Sequence, residues 1–239
     1  MSARRSRLDR LLARLLTISQ DAVPALLAQQ RVRVDGQVAT ARDLIVDGFS
    51  VIHVDGRVLQ DQPPVYVLLH KPRGVLSATR DALHPVATAL IDHPAAASLH
   101  IAGRLDRQAS GLLLLTNDGR WSRRLSNPAS AVAKRYHVVL QQPLNDDYVQ
   151  AFAAGMYFPY EDLITRPARL EILGEREARV TLQEGRYHQI KRMFGRFRNP
   201  VLSIHRTAIG GLSLEPALAP GGWRLLTPAE ADLVFLGTG

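Results

Sequence analysis

Between residues 102 and 119 the chain places a polar loop, Ala102-Gly103-Arg104-Leu105-Asp106-Arg107-Gln108-Ala109-Ser110-Gly111, directly ahead of four leucines, Leu112 to Leu115, closed by Thr116-Asn117-Asp118-Gly119. An unbroken apolar run this short, bounded by glycine and turn residues, reads as a buried strand rather than a helix. Any fold that accepts it must hold Asp106 at the mouth of that strand, between two arginines. A carboxylate in basic surroundings there is a candidate nucleophile or base for a polyanionic substrate. On an ordinary surface loop the same tetrapeptide would be an Arg–Asp ion pair.

The remainder of the chain bears on that choice. Its 239 residues, 46% of them apolar, suffice for one large domain with a small appendage. Thirty basic residues against 22 acidic ones give a net charge of +8, which favours an acidic partner, nucleic acid being the commonest. Lysine occurs only at Lys71, Lys134 and Lys191, each inside a motif described below, which suggests positions that require an ammonium. Absence of cysteine excludes disulfides and thiolate metal sites, and the eight histidines show no metal-ligand spacing. The first apolar run, Leu11 to Ile18, is interrupted by Arg14 and too short to span a bilayer. The expectation is a soluble cytoplasmic protein without a membrane partner.

Residues 7–17 predict an amphipathic helix with leucines on one face and Arg7, Arg10 and Arg14 on the other. Ser19 is placed to cap a second helix running to about Gln30. Val32-Arg33-Val34-Asp35-Gly36-Gln37-Val38 predicts a hairpin, and Ser50 to Val54 a strand ending at Asp55-Gly56. Asp61-Gln62-Pro63-Pro64 reads as a stiff linker, giving domains at 1–60 and 65–239. Beyond it, strands at 65–69, 112–115 and 179–182 alternate with helices, one of them over 117–127. Such mixed order predicts an α+β fold with a largely antiparallel sheet.

Four segments in order carry a resemblance. They are His70-Lys71-Pro72-Arg73-Gly74, the Asp106 segment, Lys134-Arg135-Tyr136-His137-Val138, and Glu184-Gly185-Arg186-Tyr187-His188-Gln189-Ile190-Lys191-Arg192-Met193-Phe194. Together they resemble the pseudouridine synthases of the small-subunit ribosomal RNA type. The first 60 residues resemble the RNA-binding domain that this family shares with a small-subunit ribosomal protein, although a generic helical cap with solvated arginines has the same spacing. The resemblance implies the pseudouridine synthase fold, a curved mixed sheet with a central cleft, preceded by a small α/β RNA-binding domain. Two departures stand out: Gln20 occupies a position that is often arginine, and Gln108-Ala109 replaces a pair that usually ends in threonine.

The implied reaction breaks the N1–ribose bond of a uridine, rotates the uracil and rejoins it through C5. It has no redox or phosphoryl step, so no cofactor and no metal is expected. The resemblance makes Asp106 the carboxylate at C1′, either attacking the sugar carbon or removing the 2′ proton. It makes Lys191 the fixed cation that keeps Asp106 ionised, with Arg192 as the alternative. Tyr136 would stack on uracil and relay the C5 proton, and Ile190 would form the apolar floor. Arg104 would fill the space left by the extruded base. Arg107, Arg186, Arg192, Arg196 and Arg198 would bind the RNA backbone, with Lys71 and Arg73 on the rim, and Arg7, Arg10, Arg14 and Arg33 would do so from the first domain.

Arg186 to Arg192, Asp162 to Ala168, and Leu202-Ser203-Ile204-His205-Arg206 resemble the small-subunit branch, which implies uridine 516 of 16S ribosomal RNA, free or in an assembling particle, and a monomeric enzyme. Two other classes remain: a synthase acting on large-subunit RNA, and a non-catalytic RNA-binding assembly factor. Ser110 lacks the leading glycine of a hydrolase elbow. Glu184, the one obvious second carboxylate for a glycosidase, reads as turn chemistry beside Gly185.

Overall fold

The computed structural model describes residues 5–236; the outermost residues of both expected domains lie outside this range. The chain divides into two compact units, Met1–Val65 with Asn117–Arg120, and Tyr66–Thr116 with Trp121–Gly239. Among the described residues no single helix is long and apolar enough to cross a membrane.

In the first unit, β1 (Ser6–Arg7) leads into α1 (Leu8–Leu16). Leu8, Leu11 and Leu12 of that helix are buried, as one face of a 3.6-residue period requires. A single turn of 3-10 helix at Gln20–Ala22 precedes α2 (Val23–Ala28), which starts with Pro24 in its first turn. The Ser19 hydroxyl makes no capping bond, contrary to expectation. Strands β2 (Val32–Val34) and β3 (Gln37–Val38) form the expected hairpin. Positive φ at both Asp35 and Gly36 matches the twist such two-residue turns need. The short strand β4 (Ile45–Val46) pairs with β1, while β5 (Ile52–Val54) pairs with β2 and with β6 (Arg57–Gln60).

The second unit is built on a nine-stranded sheet among the described residues. Its main path joins β7 (Tyr66–Lys71), β9 (Ser110–Thr116), β10 (Lys134–Leu140), β13 (Arg169–Gly174), β14 (Glu177–Leu182), β15 (Val201–Ile209) and β17 (Trp223–Leu226) in the order β13-β14-β10-β15-β9-β7-β17. Two further strands, β8 (His100–Ala102) and β16 (Leu212–Ser213), pair with β9 and β15 respectively. Helix α4 (Asp146–Ala154) precedes the β11–β12 hairpin (Tyr157–Phe158 with Leu163–Ile164), which stands apart from this sheet. All pairings within the sheet are antiparallel except β9 with β15, so the fold is the α+β class with a mixed, largely antiparallel sheet.

All of Gly111 to Thr116 in β9 is buried, which explains why the run does not alternate. Leu112 and Leu114 pack with Leu68, Leu226 and Val132, and with Trp121 and Leu125 of α3 (Gly119–Ser126). Each such leucine contributes roughly 1.5–3 kcal/mol by leaving water. The core therefore anchors the strand whose leading end carries Asp106.

Candidate active site

Asp106 lies in the connection from β8 to β9, and the backbone of that connection is held from several sides. The Ser77 hydroxyl, buried, donates to the Leu105 carbonyl at 2.6 Å, and the Leu105 amide lies 3.0 Å from the same oxygen. The Gly74 amide donates to the Arg107 carbonyl at 2.8 Å, and Arg107 Nε returns a bond to the Gly74 carbonyl at 3.1 Å. From β15, Arg206 donates through Nη2 to the Gly103 carbonyl at 3.1 Å, through Nη1 to the Arg104 carbonyl at 3.2 Å, and through Nε to the Leu112 carbonyl at 2.7 Å. These bonds fix the main chain and leave the Asp106 carboxylate, with 31% of its side chain exposed, facing a cleft of about 440 Å³.

The opposite wall is the segment from Glu184 to α5 (Gln189–Gly195). Glu184 is buried and accepts from the Arg166 amide at 3.0 Å, Gln189 Nε2 at 2.7 Å and Arg186 Nε at 3.0 Å. Gln189 Oε1 in turn accepts from the Arg186 amide at 3.1 Å. Glu184 thus belongs to the turn, as its place beside Gly185 suggests, and is the buried acceptor around which that turn is organised. His188 precedes the helix with φ of 50° and brings Nε2 to 3.7 Å from Asp106 Oδ2. Tyr136, Ile190, Leu76, Leu182 and Ile204 supply an apolar lining, with both Tyr136 and Ile190 almost fully buried.

Two lysines with lowered pKa values lie near Arg206, and one of them, Lys71, reaches the Asp106 loop. Lys71 is fully buried, and its Nζ donates to the carbonyls of Pro72 and Val75, each at 2.9 Å, and of Arg107 at 3.3 Å. Its pKa is pushed down to about 8, by burial first and then by the Arg206 charge, with the Asp106 carboxylate working in the opposite sense. Lys134 donates to the Val132 carbonyl at 3.0 Å and is likewise held at about 8, by burial first and then by Arg206. The expectation that Lys71 sits on an RNA-binding rim is thus overturned: Lys71 clamps two loops from inside the protein. Arg73 is exposed.

Arg104, Arg107 and Arg186 line the cleft. Arg192 does not: its guanidinium makes a bidentate pair with Glu161 at 2.6 and 2.5 Å and lies 3.7 Å over the Phe158 ring. That pairing removes Arg192 from both of its expected tasks, as a neighbour of Asp106 and as a free backbone contact. Lys191 is half-buried in the first turn of α5, next to Ile190, and its side chain is not among those lining the cleft. Among the described residues the ion-pair neighbour of Asp106 is His188. Arg196 and Arg198 are exposed.

In the first unit Arg7 is drawn onto Asp9 at 2.6 Å, which takes it out of the expected RNA-facing set. Arg10 and Arg14 are exposed, and Arg33 is exposed with Nη1 donating to the Gly36 carbonyl at 3.0 Å. Sequence reasoning missed Ser77, His188, Gln189 and Arg206 as parts of the site. The spacing Glu184–Gln189 within a glycine-containing turn carried a signal; Ser77 and Arg206 carried none, because only tertiary packing brings a distant turn and strand β15 to the loop. Among the described residues no group of three or more acidic or histidine side chains is placed to hold a metal ion.

Residues 65–195 match the family model described as RNA pseudouridylate synthase. The chain is 50% identical over 225 residues to the ribosomal small subunit pseudouridine synthase A of Pseudomonas aeruginosa, covering 94% of this chain and 98% of that one. It is 39% identical to the protein of the same name from Escherichia coli K12, covering 94% and 97%. A solved structure described as a pseudouridylate synthase superposes with a TM-score of 0.70 at 34% identity, covering 95% of this chain and 99% of that one.

Proposed function

The chain belongs to the RNA pseudouridylate synthase family, and we propose that it isomerises uridine 516 of 16S ribosomal RNA to pseudouridine with Asp106 as the carboxylate at C1′. The observation that carries this reading is a half-exposed aspartate whose backbone is immobilised on every side, at the edge of an apolar, arginine-rimmed cleft. Relatives named for the small ribosomal subunit, matched along almost their whole length, support 16S RNA over large-subunit RNA as the substrate.

The chain's own residues divide the task. Arg104 fills the gap in the RNA once the uridine is extruded, a step that takes roughly a few kcal/mol, and holds the adjoining phosphate. Arg107 and Arg186 at the cleft, with the exposed Arg73, Arg196 and Arg198, hold the phosphates. Tyr136 stacks on the uracil over the Ile190 floor, so the base cannot escape once detached from the sugar, and its hydroxyl relays the C5 proton. Asp106 acts as a carboxylate, either attacking C1′ or taking the 2′ proton, and the Lys71 and Arg206 side chains hold the loop that presents it. The exposed Arg10, Arg14 and Arg33 of the first unit add RNA backbone contacts, and the protein works as a monomer in the cytoplasm.

Tritium release from 5-tritiated 16S RNA, bare and as an assembling particle, tests this. Release by wild type and none by Asp106→Asn, with RNA binding retained and the modified base mapping to position 516, is the expected result. Release from 23S RNA alone would move the substrate to the large subunit. No release from either RNA would make the protein a binding factor.

A further inference from the structure

Tyr187 exposes 75% of its surface while lining the same cleft. Its ring is stacked on His188 with centroids 3.9 Å apart and planes 19° apart. The main chain holds this pair outward against its own preference. His188 has φ of 50°, a left-handed conformation that costs a residue with a β-carbon about 1–2 kcal/mol. The surrounding turn overrides that cost. The Gln189 amide donates to the Arg186 carbonyl at 3.2 Å, the Arg192 amide donates to the His188 carbonyl at 3.0 Å, and the buried Glu184 holds both the Arg186 and Gln189 side chains. One stacked unit thus has His188 Nε2 3.7 Å from Asp106 at its inner end and an open aromatic face at its outer end.

Arg104, Arg107 and Arg186 line the cleft beside that open face. Exposed aromatic rings amid arginines match the chemistry of single-stranded nucleic acid, in which bases stack on the ring and phosphates meet the cations. A second stacking surface has a specific use here. Extruding one base deprives its neighbour in the strand of a stacking partner. Tyr136, almost fully buried at the cleft floor, is suited to the extruded uracil, whereas Tyr187 at the mouth is open to the neighbour.

We propose that Tyr187, braced by His188, is the stacking platform for the nucleotide next to the target uridine, and so helps select the sequence context that is modified. This rests on the isomerase reading above and extends it to a residue that touches RNA outside the reacting nucleotide.

The test uses two 16S RNA fragments with 2-aminopurine on the 5′ or the 3′ side of uridine 516, or of the mapped uridine should another be modified. Fluorescence is followed on binding to the full chain in an Asp106→Asn background, so that no turnover intervenes. The expected result is quenching in one fragment that Tyr187→Phe retains and that Tyr187→Ala and Tyr187→Leu lose. With unlabelled RNA and an intact Asp106, Tyr187→Ala raises KM roughly tenfold, within the range of base–aromatic stacking, and Tyr187→Phe restores it. Quenching and KM unchanged in Tyr187→Ala would overturn the platform while leaving tritium release, and with it the isomerase reading, intact. Conversely, Tyr187-dependent quenching without tritium release would leave the ring an RNA-stacking surface but overturn both the isomerase reading and the platform's role beside a target uridine.

Discussion

Arg206 and Gly111 face each other in the parallel pairing of β15 with β9, so closely that a β-carbon on Gly111 would lie 2.6 Å from the Arg206 amide nitrogen and nearer still to its carbonyl oxygen. Gly111 also has φ of 109°. This approach lets the Arg206 side chain reach forward under the Asp106 loop and bind two of its carbonyls, Gly103 and Arg104, together with that of Leu112 in β9.

Gly111→Ala should therefore be among the most damaging single changes in the chain. It adds a backbone clash to a conformation that disfavours side chains, and a loss of at least about 4 kcal/mol is expected. Urea denaturation, or failure to recover soluble protein, checks this; a stable variant would mean that the two strands separate without penalty.

Ser77→Ala removes the hydroxyl that both donates to and accepts from Leu105. A buried carbonyl and amide are left without a partner, so stability should fall by about 1–3 kcal/mol. Because the adjacent residue is Asp106, kcat should fall about tenfold or more with KM nearly unchanged, as for a group misplaced only at the reacting carbon. Steady-state tritium release separates the two constants.

Lys71 has a folded-state pKa near 8 against an ordinary value of 10.5. Between those two values the unfolded chain binds more protons at this position, so stability rises with pH across the window, and the burial penalty is fully present below about 8. The full term is about 3 kcal/mol for one buried group. Relative to wild type, Lys71→Met should therefore lose more stability at pH 10 than at pH 7.5, measured by denaturant titration at the two values. A deficit that shrinks with pH would show that the lysine is not held below its usual range.

Arg104→Ala and Arg107→Ala should each lower the slope of log affinity against log salt by about 1, as expected for losing one phosphate contact. Arg192→Ala should leave that slope unchanged, since Glu161 and Phe158 already occupy its guanidinium. A filter-binding salt series on 16S RNA distinguishes the two groups.

Local pattern made much of this protein legible. The leucine spacing of α1, the Asp35-Gly36 turn and the four leucines of β9 each specify their own conformation through side-chain period or φ preference. The segments around Asp106, Tyr136 and Ile190 were recognisable because their chemistry is contiguous in the chain, and the sheet brings all three to one cleft. Charge by itself was a poor guide to position. Lys71, Arg7 and Arg192 looked like free cations, yet one is buried under three carbonyls and the other two are paired with Asp9 and Glu161.

The sequence by itself determined which elements form and which residues carry reactive groups, because period, turn preference and side-chain chemistry act over a few residues. Only the tertiary structure decided what holds the Asp106 loop. Arg206 reaches the loop through the parallel pairing of β15 with β9, Ser77 through the packing of a distant turn, and Lys71 through the end of β7. Hydrogen-bonding demand is local to each carbonyl, but which distant donor meets it depends on strand order, and strand order follows from how the whole chain buries its apolar faces.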